Sequence, residues 1–150
     1  MIIERASVSD SEAILSLQKI AYRSEAEIYG DDRIEPLVQT LEQLRQQFED
    51  HLVLKAVADG VIIGSVRARE QGGTCYIGKL MVHPGYQNKG IGKRLMDRLE
   101  GCFPQARFEL FTGSKSVKNI AFYEKLGYRA FKEHAVTPEL SLVYLEKNRF

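Results

Sequence analysis

A chain of 150 residues, 44% hydrophobic, 9% aromatic and 27% charged, has the make-up of one folded domain over residues 1–150, which excludes a fibre, a disordered tail and a disulfide scaffold. Its 21 basic residues against 20 acidic ones give a formal net charge of +1, so no global field gathers nucleic acid or an anionic membrane, and neither is expected as a partner. Cys75 and Cys102 lie far apart in sequence with no His or second Cys beside either; no metal site is expected, and both read as small buried apolar side chains. The sequence turns polar just after Ile3, and no apolar run approaches the ~20 residues of a membrane span, so a cytoplasmic location is expected.

Residues 2–6 read as a first strand. Ser9-Asp10-Ser11-Glu12 has the spacing of a capping box, which predicts a helix carrying Ile14, Leu17, Ile20 and Ala21 on one face; the pattern dissolves over residues 24–32 into an acidic loop. A second amphipathic helix is predicted from Glu35 through Leu37, Val38, Leu41, Leu44 and Phe48, with Pro36 in its first turn. Runs rich in β-branched residues at 52–58 and 61–69, joined by Asp59-Gly60, predict a hairpin, and Gly72-Gly73 turns the chain into a third strand of the meander over 74–82. Beyond Pro84 a glycine-bearing loop opens a helix that runs to Phe103. Residues 107–112 read as a strand, 117–126 as a helix stopped by Gly127, and 128–133 and 140–147 as two last strands. This order implies a mixed sheet with helices on its faces, of the α/β or α+β class, and excludes a barrel or a bundle.

The segment Gln87-Asn88-Lys89-Gly90-Ile91-Gly92-Lys93 places two glycines between a strand end and a helix start. It is either a tight turn or an anion cradle: the first amides of a helix lack intrahelical partners, its dipole favours negative charge, and a Cβ would hold a ligand off the backbone. A dinucleotide fingerprint would need glycine at Leu95, and a Walker A loop would need glycine at Gln87 and Ser or Thr at Arg94, so neither motif fits.

Gln87-Asn88-Lys89-Gly90-Ile91-Gly92 resembles the Q/R-x-x-G-x-G/A signature of the GCN5-related N-acetyltransferases, the GNAT superfamily. Leu80-Met81-Val82-His83-Pro84 resembles that family's fourth strand and the turn leaving it, and residues 119–128, Asn119-Ile120-Ala121-Phe122-Tyr123-Glu124-Lys125-Leu126-Gly127-Tyr128, resemble its second signature. The resemblance implies a single α/β (α+β) domain whose mixed, mostly antiparallel sheet has about six to seven strands. About four helices flank that sheet, and it splays between the fourth and fifth strands.

It further implies acetyl-CoA as co-substrate and no metal. Backbone amides from Gln87 to Lys93 would hold the pyrophosphate, with Leu80, Met81 and Val82 pairing with the pantetheine arm. Lys89, Lys93 and Arg94 either meet phosphates or are surface charges. Tyr123 matches the family's general acid, the alternative being a buried aromatic beside Phe122. A backbone amide of residues 80–82 would polarise the thioester oxygen, freed by a bulge marked by Gly78. Ser116 or Asn119 takes the place of the family's pantetheine-binding Asn, unless Ser116 caps the helix and Asn119 faces solvent.

The base departs from the family pattern: the fourth-strand position that often carries Glu is Tyr76 here, which leaves Glu109 as the nearest carboxylate, either a base or an ion-pair partner. Glu25, Glu27 and Glu35 are alternative bases, because the family's first two helices and their connection usually wall the acceptor site, where Glu25, Tyr29 and Glu35 would meet the substrate. The acidic loop hints at a cationic amine, in a small molecule or a peptide, unless it is only a solvated surface. The implied reaction is acetyl transfer from acetyl-CoA directly to a primary amine, the rival being an acyl-CoA sensor, and many family members form homodimers through their later strands.

Overall fold

The computed structural model describes residues 1–148. β1 (Ile2–Arg5) leads through a 3₁₀ turn (Val8–Asp10) into α1 (Ser11–Ala21), and α2 (Arg23–Tyr29) follows after the single residue Tyr22. α3 (Glu35–Val38) and α4 (Leu41–Gln47) precede a meander of β2 (Leu52–Ala58), β3 (Val61–Gln71) and β4 (Thr74–Val82). A second 3₁₀ turn (Pro84–Tyr86) and α5 (Ile91–Gly101) follow, then β5 (Arg107–Gly113), α6 (Val117–Lys125), β6 (Arg129–Ala135) and β7 (Ser141–Lys147). All seven strands share one sheet in the order β1-β2-β3-β4-β5-β7-β6, antiparallel except for β4 beside β5. The mixed, mostly antiparallel α/β architecture is as expected, with six α-helical segments among the described residues where about four were expected.

Both meander turns use consecutive left-handed residues, Asp59 and Gly60 (φ 51° and 76°) and Gly72 and Gly73 (φ 59° and 81°), the geometry whose twist matches the flanking strands. The main core lies between the sheet and α5: Ile91, Leu95, Met96 and Leu99 pack on Leu54, Ala56, Val66, Ala68, Cys75 and Ile77. Each large aliphatic side chain buried this way contributes roughly 1.5–3 kcal/mol before entropic costs. A smaller cluster of Ala6, Ile14, Leu44 and Val53 seals α1 and α4 on the opposite face.

Four expectations need correction. The helix predicted from Glu35 to Phe48 is broken at Gln39, whose side chain turns inward, and Thr40 caps α4 by accepting from the Gln43 amide at 3.1 Å. The acidic stretch at 24–32 is helical as far as Tyr29, because Ala26 buries and Gly30 (φ 59°) supplies the C-terminal turn. The capping carboxylate before α1 is Asp10, accepting from the Ser7 amide at 2.9 Å, rather than Glu12 paired with Ser9. Cys75 is buried, its thiol pushed up to about 12 by desolvation, but Cys102 is exposed just past α5.

The feature that positions the site is an incomplete seam. β4 and β5 pair only through Thr74–Arg107, Cys75–Phe108 and Tyr76–Glu109. Beyond that point β4 stays paired to β3 as far as Val82, and β5 to β7 as far as Gly113, so a cleft opens between them. At the same place β4 bulges: Arg67 pairs with Gly78 and Ser65 with Met81, so Val66 faces both Lys79 and Leu80. The left-handed residue of the bulge is Lys79 (φ 54°), one position beyond the Gly78 expected to mark it.

Candidate active site

One end of the cleft is closed by the start of α5. Asn88 (φ 62°) and Gly90 (φ 78°) both take left-handed backbone, and a Cβ built on Gly90 would meet nothing within 4 Å, so the space before the helix is open. The first helical hydrogen bond runs from the Arg94 amide to the Gly90 carbonyl at 3.1 Å, which leaves the amides of Ile91, Gly92 and Lys93 without intrahelical acceptors. Gly92 is small for a second reason, since a Cβ there would press on the Phe122 ring at 3.3 Å and push α5 away from α6. Ile91 and Met81 are buried, so each offers the cleft its backbone alone. Gln87 is turned back to donate to the Val82 carbonyl at 3.0 Å; Lys93 pairs with Asp97 in solvent, and Lys89 lies over the Tyr86 ring.

The other wall is built from residues distant in sequence. Ser116, at the start of α6, donates its hydroxyl to Glu25 Oε2 at 2.5 Å, and Asn119 Nδ2 donates to Glu25 Oε1 at 3.1 Å. Ser116 therefore does not cap α6 with its side chain, and Asn119 is turned inward. Tyr29 lies across Gly113, where its hydroxyl accepts from the Lys115 amide at 2.9 Å and stands 3.3 Å from Ser116 Oγ. Tyr123 on α6 packs edge-on against Phe122 and Tyr128. Desolvation holds its phenol above the ordinary tyrosine range, and the charge of Glu25 raises it further, so the hydroxyl is protonated across the physiological range.

The structure thus joins Glu25, Tyr29, Ser116 and Asn119 in one hydrogen-bonded group, with Tyr123 one turn beyond Asn119 on α6. Glu35 stands at a different point, ion-paired to Lys79 of the bulge at 2.6 Å. Glu109 is at the seam, where Arg107 Nη1 holds it at 2.9 Å while Arg107 Nε holds Glu146 at 2.9 Å. That is the ion-pair role foreseen as its alternative.

Two more residues shape this region: Tyr22, which the sequence sets with Tyr29 beside the acidic stretch, and Arg67, for which the sequence suggests no role. Tyr22, at the junction of α1 and α2, reaches the Leu80 carbonyl of β4 at 3.5 Å, and burial raises its phenol. Arg67 on β3 is 2% exposed. Its Nη2 donates to Gln39 Oε1 at 2.8 Å and Gln18 Oε1 at 3.1 Å, while Gln18 Nε2 holds Gln39 Oε1 and the Pro36 carbonyl, each at 2.9 Å. Desolvation lowers the guanidinium to about 10, which leaves it a cation at neutral pH. No periodicity marks Arg67, because Val66-Arg67-Ala68-Arg69 alternates like a strand with a solvated face.

A family model described as the acetyltransferase (GNAT) family matches residues 12–128. A candidate acetyltransferase of Bacillus subtilis (strain 168) is 28% identical over 92 residues, spanning 61% of this chain and 63% of the relative, which is less than two thirds of its length. Among solved structures, the paia N-acetyltransferase of Thermoplasma acidophilum in complex with coenzyme A aligns with a TM-score of 0.79 at 20% identity over 99% of both chains. The ribosomal-protein-S18-alanine N-acetyltransferase of Escherichia coli aligns at 0.81 with 15% identity, over 97% of this chain and 92% of that one.

Proposed function

The chain belongs to the acetyltransferase (GNAT) family, and from that premise we propose that it moves an acetyl group from acetyl-CoA directly to a primary amine. The observation that carries this reading is the seam that stops at Tyr76–Glu109, because it leaves main-chain edges of β4 and β5 unpaired beside the open amides of α5. A pyrophosphate fits there: Gly90 carries no side chain into the space, and Ile91, Gly92 and Lys93 present amides at the positive end of the helix dipole. The arm of CoA is extended and amide-bearing, so it suits an edge that offers backbone donors and acceptors at strand spacing.

Acetyl-CoA, when bound, supplies an activated thioester; the acceptor nitrogen gains the acetyl group, the C–S bond breaks, and the sulfur needs a proton. Tyr123 has the proton to give. Glu25 is the carboxylate whose charge reaches Tyr123, and we assign it, rather than the ion-paired Glu109, to receive the proton lost by the amine. The two transfers assist each other: once Glu25 is neutral, part of what raises the Tyr123 phenol is gone, and the phenol gives up its proton more readily. A backbone amide freed at the Lys79 bulge, within residues 80–82, polarises the thioester oxygen. Ser116 and Asn119 orient Glu25, with the CoA arm as their alternative partner.

A calorimetric titration with acetyl-CoA, followed by a panel of amines while free thiol is monitored, tests the proposal. Binding with thiol release supports it. Binding without release on any amine favours an acyl-CoA sensor, and absence of binding rejects the cleft assignment altogether.

A further inference from the structure

Three of the carboxylates on and between α2 and α3 are already engaged. Glu25 is held by Ser116 and Asn119, Glu35 by Lys79 at 2.6 Å, and Asp32 lies 3.8 Å from Arg23. Behind them lies a buried cation, Arg67, which is 2% exposed. Arg67 Nη1 is the one buried side-chain nitrogen or oxygen without a hydrogen-bond partner among the described residues. Its other terminal nitrogen is fixed by the carbonyl oxygens of Gln18 and Gln39, two neutral groups that orient the guanidinium but leave its charge uncompensated. A buried cation normally has an ionic partner. The carboxylate whose field it feels, Glu35, is engaged with Lys79 instead.

The surroundings of Arg67 belong to the cleft. Across the β3–β4 ladder its Cα partner is Gly78, where an added Cβ would meet nothing within 4 Å, so the neighbouring strand leaves an open position without a side chain opposite Arg67. Lys79 follows directly in the bulge. Tyr22, at the junction of α1 and α2, donates to the Leu80 carbonyl just past the bulge at 3.5 Å.

We propose that the acceptor is an amine that also carries a carboxylate, held by Arg67 Nη1 above Gly78 with Lys79 beside it. This rests on the transferase reading given above. A single uncompensated cation matches a single negative charge, which favours a carboxylate over a dianionic phosphate. The side chain of Glu35 is 59% exposed, so an incoming carboxylate can displace it from Lys79 without opening the core. Arg67 then selects the substrate and takes no part in proton transfer.

Matched amines that differ only in the carboxylate test this: lysine against cadaverine, and 4-aminobutyrate against propylamine. Each is assayed for thiol release with acetyl-CoA and titrated calorimetrically into the CoA-loaded protein, so that binding is read even where turnover is slow. The acid of at least one pair is expected to surpass its partner by about ten- to a hundredfold, as a higher kcat/KM or a lower Kd, the scale of a charge-assisted hydrogen bond. Arg67→Gln should bring that ratio close to one through KM while leaving the Kd for acetyl-CoA unchanged, and Arg67→Lys should restore part of it. Should Arg67→Gln fail to fold, Gly78→Val, which fills the open, exposed strand position, should weaken the acids selectively. Equal or better use of the decarboxylated amines in every pair, or a preference that survives in both variants, overturns the proposal and makes the free nitrogen a site for structural water. Failure of acetyl-CoA itself to bind is a different result and overturns the transferase reading.

Discussion

Tyr29 occupies the space that a side chain on Gly113 would need: a Cβ built there overlaps the Tyr29 hydroxyl and lies 2.6 Å from its Cζ. The glycine backbone is not left-handed, so what excludes other residues is the ring lying across it. Gly113→Ala should therefore evict Tyr29 from the Lys115 amide and cost about 1–3 kcal/mol, seen as a lowered Tm. In the Tyr29→Ala background the same change should cost far less. Additive losses in that double-mutant cycle would show that the two positions do not press on each other.

Gly90 faces the opposite situation, with open space around it and a φ of 78°. Gly90→Asp places a carboxylate where the cleft receives phosphate, and acetyl-CoA affinity should fall by at least about a hundredfold through lost dipole contacts and like-charge repulsion. Stability should fall by only about 1 kcal/mol, from the left-handed backbone. Unchanged affinity by calorimetry would remove the α5 amides from the phosphate site.

For Tyr123 the sign of the pH dependence is set by burial. Its phenol lies above the ordinary tyrosine value of 10, the protonated form is the active one, and activity is lost only as pH rises through the raised value. The kcat profile should therefore show no alkaline fall below about pH 10 that belongs to this residue. Tyr123→Phe should lower kcat about ten- to a hundredfold with the Kd for acetyl-CoA unchanged. Wild-type kcat in that variant would mean that solvent protonates the thiolate.

Lys79 carries two opposing features, a left-handed backbone and the ion pair with Glu35. Comparing two variants separates them, because Lys79→Gly and Lys79→Ala both remove the pair while only glycine accepts φ 54° without strain. The alanine variant should be less stable than the glycine variant by about 1 kcal/mol in urea unfolding. Equal midpoints would mean that the bulge relaxes once the lysine is gone.

The parts of this fold legible in the sequence are those where one residue type dictates backbone geometry. Asp59-Gly60 and Gly72-Gly73 announce both turns, and the apolar spacing of Ile91, Leu95, Met96 and Leu99 announces the helix that closes the core. Where a side chain bonds across long sequence separations, the local signal misleads. Gln39 looks like one more polar residue of a continuous helix, yet it leaves that helix to reach Gln18 and Arg67. The glycine loop before α5 and Tyr123 stand in motifs visible in the sequence, whereas the grip of Ser116 on Glu25 joins residues that only the tertiary fold brings together. Cys102 shows the limit of helical periodicity: it continues the spacing of α5, yet it sits just past the helix end with its side chain exposed, while the next residue, Phe103, packs on the core.

The seam between β4 and β5 holds one more consequence. Past Tyr76 and Glu109, what the cleft presents is main chain, shaped by a bulge on one side and by continued pairing with β7 on the other. Such a surface is indifferent to the identity of the side chains that border it, provided the backbone keeps its course. Substitutions along its rim can accumulate without altering what it grips, while the open position at Gly78 and the guanidinium of Arg67 are free to set a different preference. If the proposed roles hold, donor recognition and acceptor choice are written in separate parts of the chain, and one can drift while the other is kept.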